Sequence, residues 1–253
     1  MPRTWRADDG VDIAYEVAGN GPPVLLLHGF ASDSETNWVR PGVVAALEQA
    51  RMQVITYDAR GHGRSGKPHD PAAYSGSAMV RDARGLIDHL GYEQVFLIGY
   101  SMGSQVAAGV AAIDARVERL VLGGTGPHLL LAGALRSSYP ATEIAEALEA
   151  DDPASIRAPV PKAYRAFADA TGADRLALAA IQRARALAVS PDLEAIKVPV
   201  LVITGEKDTL AGDPHELVGP LMGSRVQIVP GDHISAVTNK AFVEALVEFL
   251  AAR

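Results

Sequence analysis

The run Gly99-Tyr100-Ser101-Met102-Gly103 constrains this chain more than any other feature, because of what flanks it. Val95-Phe96-Leu97-Ile98 precedes it, a short continuous apolar run of the kind a strand buried on both faces carries. Met102–Ile113 follows, small and apolar, with the character of a buried helix. A serine between two glycines at a strand-to-helix turn fits a nucleophile elbow, where the serine occupies a tight, strained turn. Glycine lacks a Cβ, so Gly99 and Gly103 allow neighbouring backbone to come close. The helix start also offers unpaired N–H groups beside the serine, where negative charge would develop. The bland alternative is an ordinary glycine-rich turn, and the flanking elements argue against it.

A serine hydroxyl is a weak nucleophile until a base takes its proton. Seven histidines compete for that role. His233 stands in Pro230-Gly231-Asp232-His233, just after the strand-like run Arg225–Val229 and before the final helical segment. A loop at the end of a late strand suits a base that must reach the serine. His28 precedes Gly29 at a strand end, His62 lies in a glycine-rich turn and reads as structural, and His69, His89, His128 and His215 have no comparable context.

The base in turn needs a carboxylate to set its tautomer and stabilise the imidazolium. Asp208 follows the apolar run Val200–Thr204 through Gly205-Glu206-Lys207, again just beyond a strand end. Glu206, Asp213 and Asp232 are rivals, and Asp208 also reads as a turn residue. Asp232 adjoins His233, but neighbours in a loop seldom point at each other. The order Ser101, Asp208, His233 then runs along the chain. A tetrahedral intermediate needs two donors, expected from the backbone N–H groups of Met102 and Phe30.

The rest of the chain alternates strand and helix patterns. Strand-like runs stand at Val11–Val17, Val24–Leu27, Gln53–Tyr57, Gln94–Gly99, Arg116–Gly123, Val198–Thr204 and Arg225–Val229. Helical spacing appears at Val43–Ala50, at Ser77–Leu90 with Gly91 where a C-terminal cap belongs, and at Lys240–Leu250. Strands separated by helices imply right-handed crossovers and a mostly parallel sheet. Gly126 to Pro191 breaks this rhythm with alanine-rich helical pieces at Ala141–Ala150, Pro161–Thr171 and Asp174–Leu187. The expected organisation is a core of residues 1–125 and 192–253 with a helical cap over residues 126–191. Its apolar side chains include Leu129, Leu130, Leu135, Tyr139, Tyr164 and Phe167. They either pack on one another or line a mostly apolar pocket, and Leu129, Leu130, Tyr164 and Phe167 are the candidates for substrate contact.

With 253 residues, 48% of them apolar, a sizeable core is affordable. A net charge of −7 argues against a nucleic-acid partner. With no cysteine, a thiolate nucleophile, a disulfide framework and a cysteine zinc site are excluded. No metal or cofactor signature is apparent, since Gly61-His62-Gly63-Arg64-Ser65-Gly66 lacks the spacing of a phosphate-binding loop. The first ten residues carry Arg3, Arg6, Asp8 and Asp9 and do not read as a signal peptide, and no apolar run is long enough to span a bilayer. A cytoplasmic protein with a small-molecule substrate, and neither membrane nor nucleic acid as partner, is the expectation.

Taken together, His28-Gly29-Phe30, Asp58-Ala59-Arg60-Gly61-His62-Gly63-Arg64-Ser65, Gly99-Tyr100-Ser101-Met102-Gly103, Gly205-Glu206-Lys207-Asp208 and Gly231-Asp232-His233 resemble the successive landmarks of α/β-fold hydrolases. The resemblance runs from about Arg3 to Leu250. It implies an α/β fold with a mostly parallel eight-stranded sheet flanked by helices and a small helical cap. It implies a structural role for the Asp58–Ser65 loop. The segment Ala31–Trp38 is long and polar beside the family pattern. Relatives with aspartate at the elbow act on halides or epoxides through an alkyl-ester intermediate, and Ser101 argues against both chemistries. Cleavage of a small carboxylic ester or lactone through an acyl-enzyme is the leading expectation. C–C bond hydrolysis or peracid formation on the same three residues, and a binding protein with little turnover, are the alternatives.

Overall fold

Val24, Leu25, Leu26 and Leu27 are all buried, and their side chains alternate between two separate apolar cores. Leu25 and Leu27 join one core; Val24 and Leu26 join the other. That is why the strand reads as continuously apolar: both faces of the sheet are covered. The computed structural model describes residues 2–131, 141–185, 190–221 and 223–252.

Eight strands form one sheet among the described residues: β1 (Arg3–Arg6), β2 (Asp12–Gly19), β3 (Pro23–Leu27), β4 (Gln53–Tyr57), β5 (Val95–Tyr100), β6 (Val117–Gly123), β7 (Val200–Gly205) and β8 (Arg225–Val229). Their spatial order is β1-β2-β4-β3-β5-β6-β7-β8. β1 and β2 pair antiparallel, β2 lies antiparallel to β4, and the remaining pairs are parallel. The readings of β4 and β8 coincide with the observed strands, and the other readings differ by one or two residues at their ends. β1 was not among the expected runs. It is a four-residue edge strand, mostly exposed, and charge at both ends hides its pattern.

The helices are α1 (Val43–Gln49), α2 (Ala78–Leu90), α3 (Met102–Ala111), α4 (Pro127–Leu130), α5 (Ala141–Glu149), α6 (Pro159–Thr171), α7 (Arg175–Arg185) and α8 (Lys240–Ala251), counted among the described residues. Gly91 ends α2 at φ 71°, the left-handed cap expected of it. Within Ala31–Trp38, Glu35–Val39 forms a π-type helical turn that buries Asn37 and Trp38. No described helix is long and apolar enough to cross a membrane. Helices α4 to α7 lie between β6 and β7; Leu135, Tyr139 and the C-terminal end of the Asp174–Leu187 reading fall outside the described residues.

Parallel pairing carries β3 to β8 in one direction, so the carboxyl ends of six strands share one edge. His28 follows β3 directly, Asp58 follows β4, Ser101 follows β5, Asp208 lies three residues beyond β7 and His233 four beyond β8. β3 and β5 are neighbours although β4 intervenes in sequence, which makes their junction a topological switch point, where open α/β sheets place a ligand crevice.

Candidate active site

Ser101 sits at φ 53° and ψ −113°, a conformation that a non-glycine residue holds at a cost of about 1–3 kcal/mol. The turn is held from below, since Ser101 N–H donates to Gly123 O at 2.8 Å. A Cβ on Gly99 would run into the Gly103 carbonyl, and one on Gly103 would run into the Leu27 carbonyl. Both glycines are therefore required by close backbone approach, as the sequence pattern implied.

His233 Nε2 lies 3.0 Å from Ser101 Oγ, and His233 Nδ1 lies 2.8 Å from Asp208 Oδ2. A carboxylate only accepts, so Nδ1 carries the proton and donates to Asp208. In the neutral ring Nε2 is then left with its lone pair towards Ser101, the arrangement a general base needs. Asp208 Oδ1 accepts the N–H groups of Leu210 and Ala211, both at 3.1 Å, and Thr204 Oγ1 donates to Oδ2 at 3.3 Å. The two oxygens of Asp208 thus divide, Oδ1 holding the turn and Oδ2 facing His233. Asp232, the nearest rival, has its carboxylate engaged locally by Ile234 N–H and by Ser235 N–H and Oγ. The Asp208 side chain is shielded from solvent, while His233 keeps 19% of its side-chain surface exposed. Tyr100 holds His233 as well: its hydroxyl donates to His233 O at 2.8 Å, and its ring packs against the imidazole. Nothing in the sequence pattern marked Tyr100 for this.

The loop after β3 carries the second expected donor. Gly29 N–H donates to Asn37 Oδ1 at 2.9 Å, Ala31 N–H to His62 Nε2 at 3.1 Å, and Ser32 N–H to Gly29 O at 3.3 Å. Among the described residues, Phe30 N–H is the one donor of Gly29–Ser32 with no protein acceptor. Met102 N–H opens α3 and has no intrahelical acceptor. A Cβ on Gly29 would lie 3.6 Å from Ser101 Cβ, so this loop and the elbow face each other closely. Asn37 escaped the sequence reading, which had no signal for its contact with Gly29.

His28 and His62 hold the loops to one another. Ala59 N–H donates to His28 Nε2 at 2.9 Å, so His28 carries its proton on Nδ1 and donates to Gly29 O at 2.8 Å. His62 repeats the pattern, with Nδ1 donating to Arg60 O at 3.1 Å. Burial pushes the His62 imidazole down to about 3, with the neighbouring His28 adding to the effect, and burial lowers His28 too. In the same Asp58–Ser65 loop, Arg60 is buried and forms a bidentate pair with Asp82 at 2.6 Å and a further bond to Asp9 at 2.6 Å. Those bonds are the physical basis of the loop's structural role.

The depressed imidazoles set a pH dependence of stability. Unfolded, each would bind its proton near 6.5; folded, His62 binds it only near 3. Between those values the unfolded chain holds more protons, so this stability is fully present above the unfolded value and is lost as pH falls towards the folded one. Urea unfolding at pH 7, 6 and 5 is expected to fall by up to ~1.4 kcal/mol per pH unit from His62 alone. His62→Gln, which keeps an acceptor but cannot titrate, is expected to flatten that slope; a wild-type curve already flat over this range would refute the assignment.

Leu129 and Leu130 are buried in α4, and Gln105 Nε2 on α3 donates to Leu129 O at 2.5 Å. Tyr164 and Phe167 are half-buried on α6, and the Tyr164 ring meets the Phe30 ring edge-on at 5.7 Å. Among the described residues no group of three or more His, Cys, Asp or Glu side chains could hold a metal ion.

Residues 22–177 match the model of the alpha/beta hydrolase fold. An uncharacterized protein of Mycobacterium tuberculosis is 40% identical over 123 residues, which cover 48% of this chain and 34% of that protein. The match thus spans about a third of that relative's length. Among solved structures, a hydrolase from Pseudomonas aeruginosa PA01 superposes with a TM-score of 0.78 at 28% identity, covering 99% of this chain and 98% of that one. The enol-lactonase from Burkholderia xenovorans LB400 superposes with a TM-score of 0.74 at 27% identity, covering 99% and 100%.

Proposed function

The chain belongs to the alpha/beta hydrolase fold family, and from that premise we propose that it is a serine hydrolase that cleaves a small carboxylic ester or lactone through an acyl-enzyme. One observation carries this reading: Ser101 Oγ, His233 and Asp208 form a continuous hydrogen-bonded chain. Ser101 Oγ attacks the carbonyl carbon while His233 Nε2 takes its proton, and Asp208 stabilises the imidazolium. The oxyanion is received by Phe30 N–H and Met102 N–H. Collapse breaks the ester bond, and His233 returns the proton to the departing alkoxide. Water then attacks the acyl carbon with His233 again as base, and Ser101 is released. The likeness to an enol-lactonase over nearly the whole chain supports the substrate class.

The test pairs turnover with labelling. A panel of short-chain esters and lactones is expected to include substrates, and a fluorophosphonate is expected to modify Ser101 alone. Modification of a different serine would remove Ser101 from the nucleophile role.

We further assign the described helices between residues 126 and 191 as a helical cap on the core, with Leu129, Leu130, Tyr164 and Phe167 lining the acyl pocket. Support comes from α4, which begins at the carboxyl end of β6, and from the contact of α6 with the Phe30 loop. Single alanine replacements at these four positions are expected to change the ratio of kcat/KM for long over short acyl chains by roughly 10-fold, because a pocket reads methylene groups at that scale. Equal losses on every chain length, tracking Tm, would make these side chains internal packing.

A further inference from the structure

Ala31 is fully buried and held at φ 59°, a left-handed conformation that a residue with a Cβ adopts only under constraint. The constraint is visible peptide by peptide. The Gly29–Phe30 peptide, which carries the Phe30 N–H, has its carbonyl bound by His28 Nδ1 at 2.8 Å. The Phe30–Ala31 peptide has its N–H bound by His62 Nε2 at 3.1 Å. The Ala31–Ser32 peptide has its carbonyl bound by Thr171 Oγ1 at 3.1 Å. The first two anchors come from the core loops beside the sheet, whereas the third comes from the last residue of α6, 140 positions along the chain.

We propose that Thr171 is a positioning residue for the oxyanion hole: its bond to Ala31 O holds the strained turn that aims Phe30 N–H at the substrate carbonyl. The inference rests on the acyl-enzyme reading above. Phe30 is held in the same sense, because its ring meets His62 at 5.9 Å on one side and Tyr164 of α6 at 5.7 Å on the other. Helix α6 therefore grips this loop twice, at the Phe30 ring and at the Ala31 carbonyl. The Thr171 hydroxyl has one proton and three carbonyls in reach, the other two being Phe167 O at 3.0 Å and Ala168 O at 3.2 Å in its own helix. Those two bonds are local and common for threonine in a helix; only the bond to Ala31 leaves the helix. Releasing it frees Ala31 to relax towards negative φ, and that rotation turns the neighbouring peptides. A donor displaced by a fraction of an ångström loses much of its value in the transition state while ground-state binding is little changed.

Three proteins decide the matter: wild type, Thr171→Val, which removes the hydroxyl at nearly constant shape, and Thr171→Ser, which restores it. Thr171→Ala stands in if the valine variant fails to fold. Hydrogen exchange of the Ala31 amide reads the anchor without reference to activity. Steady-state kinetics on a short-chain nitrophenyl ester, with fluorophosphonate labelling of Ser101, read its effect on the reaction. The valine variant is expected to exchange the Ala31 amide faster and to lose about 10-fold in kcat, with KM and Tm near wild type. Serine is expected to restore both. Unchanged exchange in the valine variant, faster exchange with an unchanged kcat, or failure of serine to restore either, overturns the proposal. Absence of both turnover and label in the wild type would instead sink the acyl-enzyme reading and with it any role of Thr171 in the reaction.

Discussion

Ser101→Ala is expected to lower kcat by roughly 10³-fold or more on any ester that the wild type turns over, with the fold intact. The magnitude follows from what is removed. Without Oγ no acyl-enzyme forms, and what remains is direct attack of water, helped by the backbone donors and by substrate binding. The variant is expected to fold because the change leaves the Cβ in place. The unusual φ of Ser101 is no worse for alanine, and Ser101 N–H still donates to Gly123 O. Its hydroxyl is bonded to His233, and His233 keeps its bond to Asp208. The measurement is kcat beside Tm for both proteins. A variant of unchanged Tm that retained near wild-type turnover would mean that another group attacks the carbonyl.

Asp208→Asn is expected to cut kcat by on the order of 10²–10⁴-fold, and the reason lies in how the two oxygens are engaged. Oδ1 accepts two backbone N–H groups, from Leu210 and Ala211, while Oδ2 accepts from His233 Nδ1. Asparagine has only one oxygen. If that oxygen stays with the two N–H groups, the amide NH₂ faces His233. Nδ1 must then become the acceptor, the proton moves to Nε2, and the ring can no longer take the proton of Ser101. Asp232→Asn is a sharp control. Asp232 Oδ1 receives all three of its local bonds, and an amide oxygen can receive them equally well. Its effect on kcat is expected to stay within about 3-fold, since the site is exposed and the turn is preserved. The two variants are compared at one pH on one ester, and a reversed ranking would pass the orienting role to Asp232.

Much of this arrangement is legible in the sequence. Gly99 and Gly103 read as close-approach positions, and the carbonyls of Gly103 and Leu27 stand where their Cβ atoms would go. Gly91 read as a helix cap and has the left-handed φ of one. Such signals are local: a few adjacent residues carry both the cause and the effect. β1 was illegible for the opposite reason, since Arg3–Arg6 is a strand only because β2 lies beside it and supplies the pairing. The turn at Glu35–Val39 was hidden in a polar run, because the burial of Asn37 and Trp38 inside it depends on packing from elsewhere.

What the sequence by itself determined is therefore the alternation of strand and helix, the elbow, and the placement of Ser101, Asp208 and His233 just beyond strand ends. These follow from periodicity, turn chemistry and chain order, which are properties of neighbours. Only the tertiary structure decided which carboxylate meets His233 Nδ1, which ring nitrogen faces Ser101, which N–H in the loop after β3 lacks a protein acceptor, and which distant side chains hold that loop. Asp208 and His233 are 25 positions apart, Ser101 and His233 132, Ala31 and Thr171 140. Contacts at such separations come from how the sheet's parallel strands bring their carboxyl ends to one edge and how α6 meets the loop after β3. Hydrogen-bond geometry there is settled to tenths of an ångström by packing, and no local pattern carries that information.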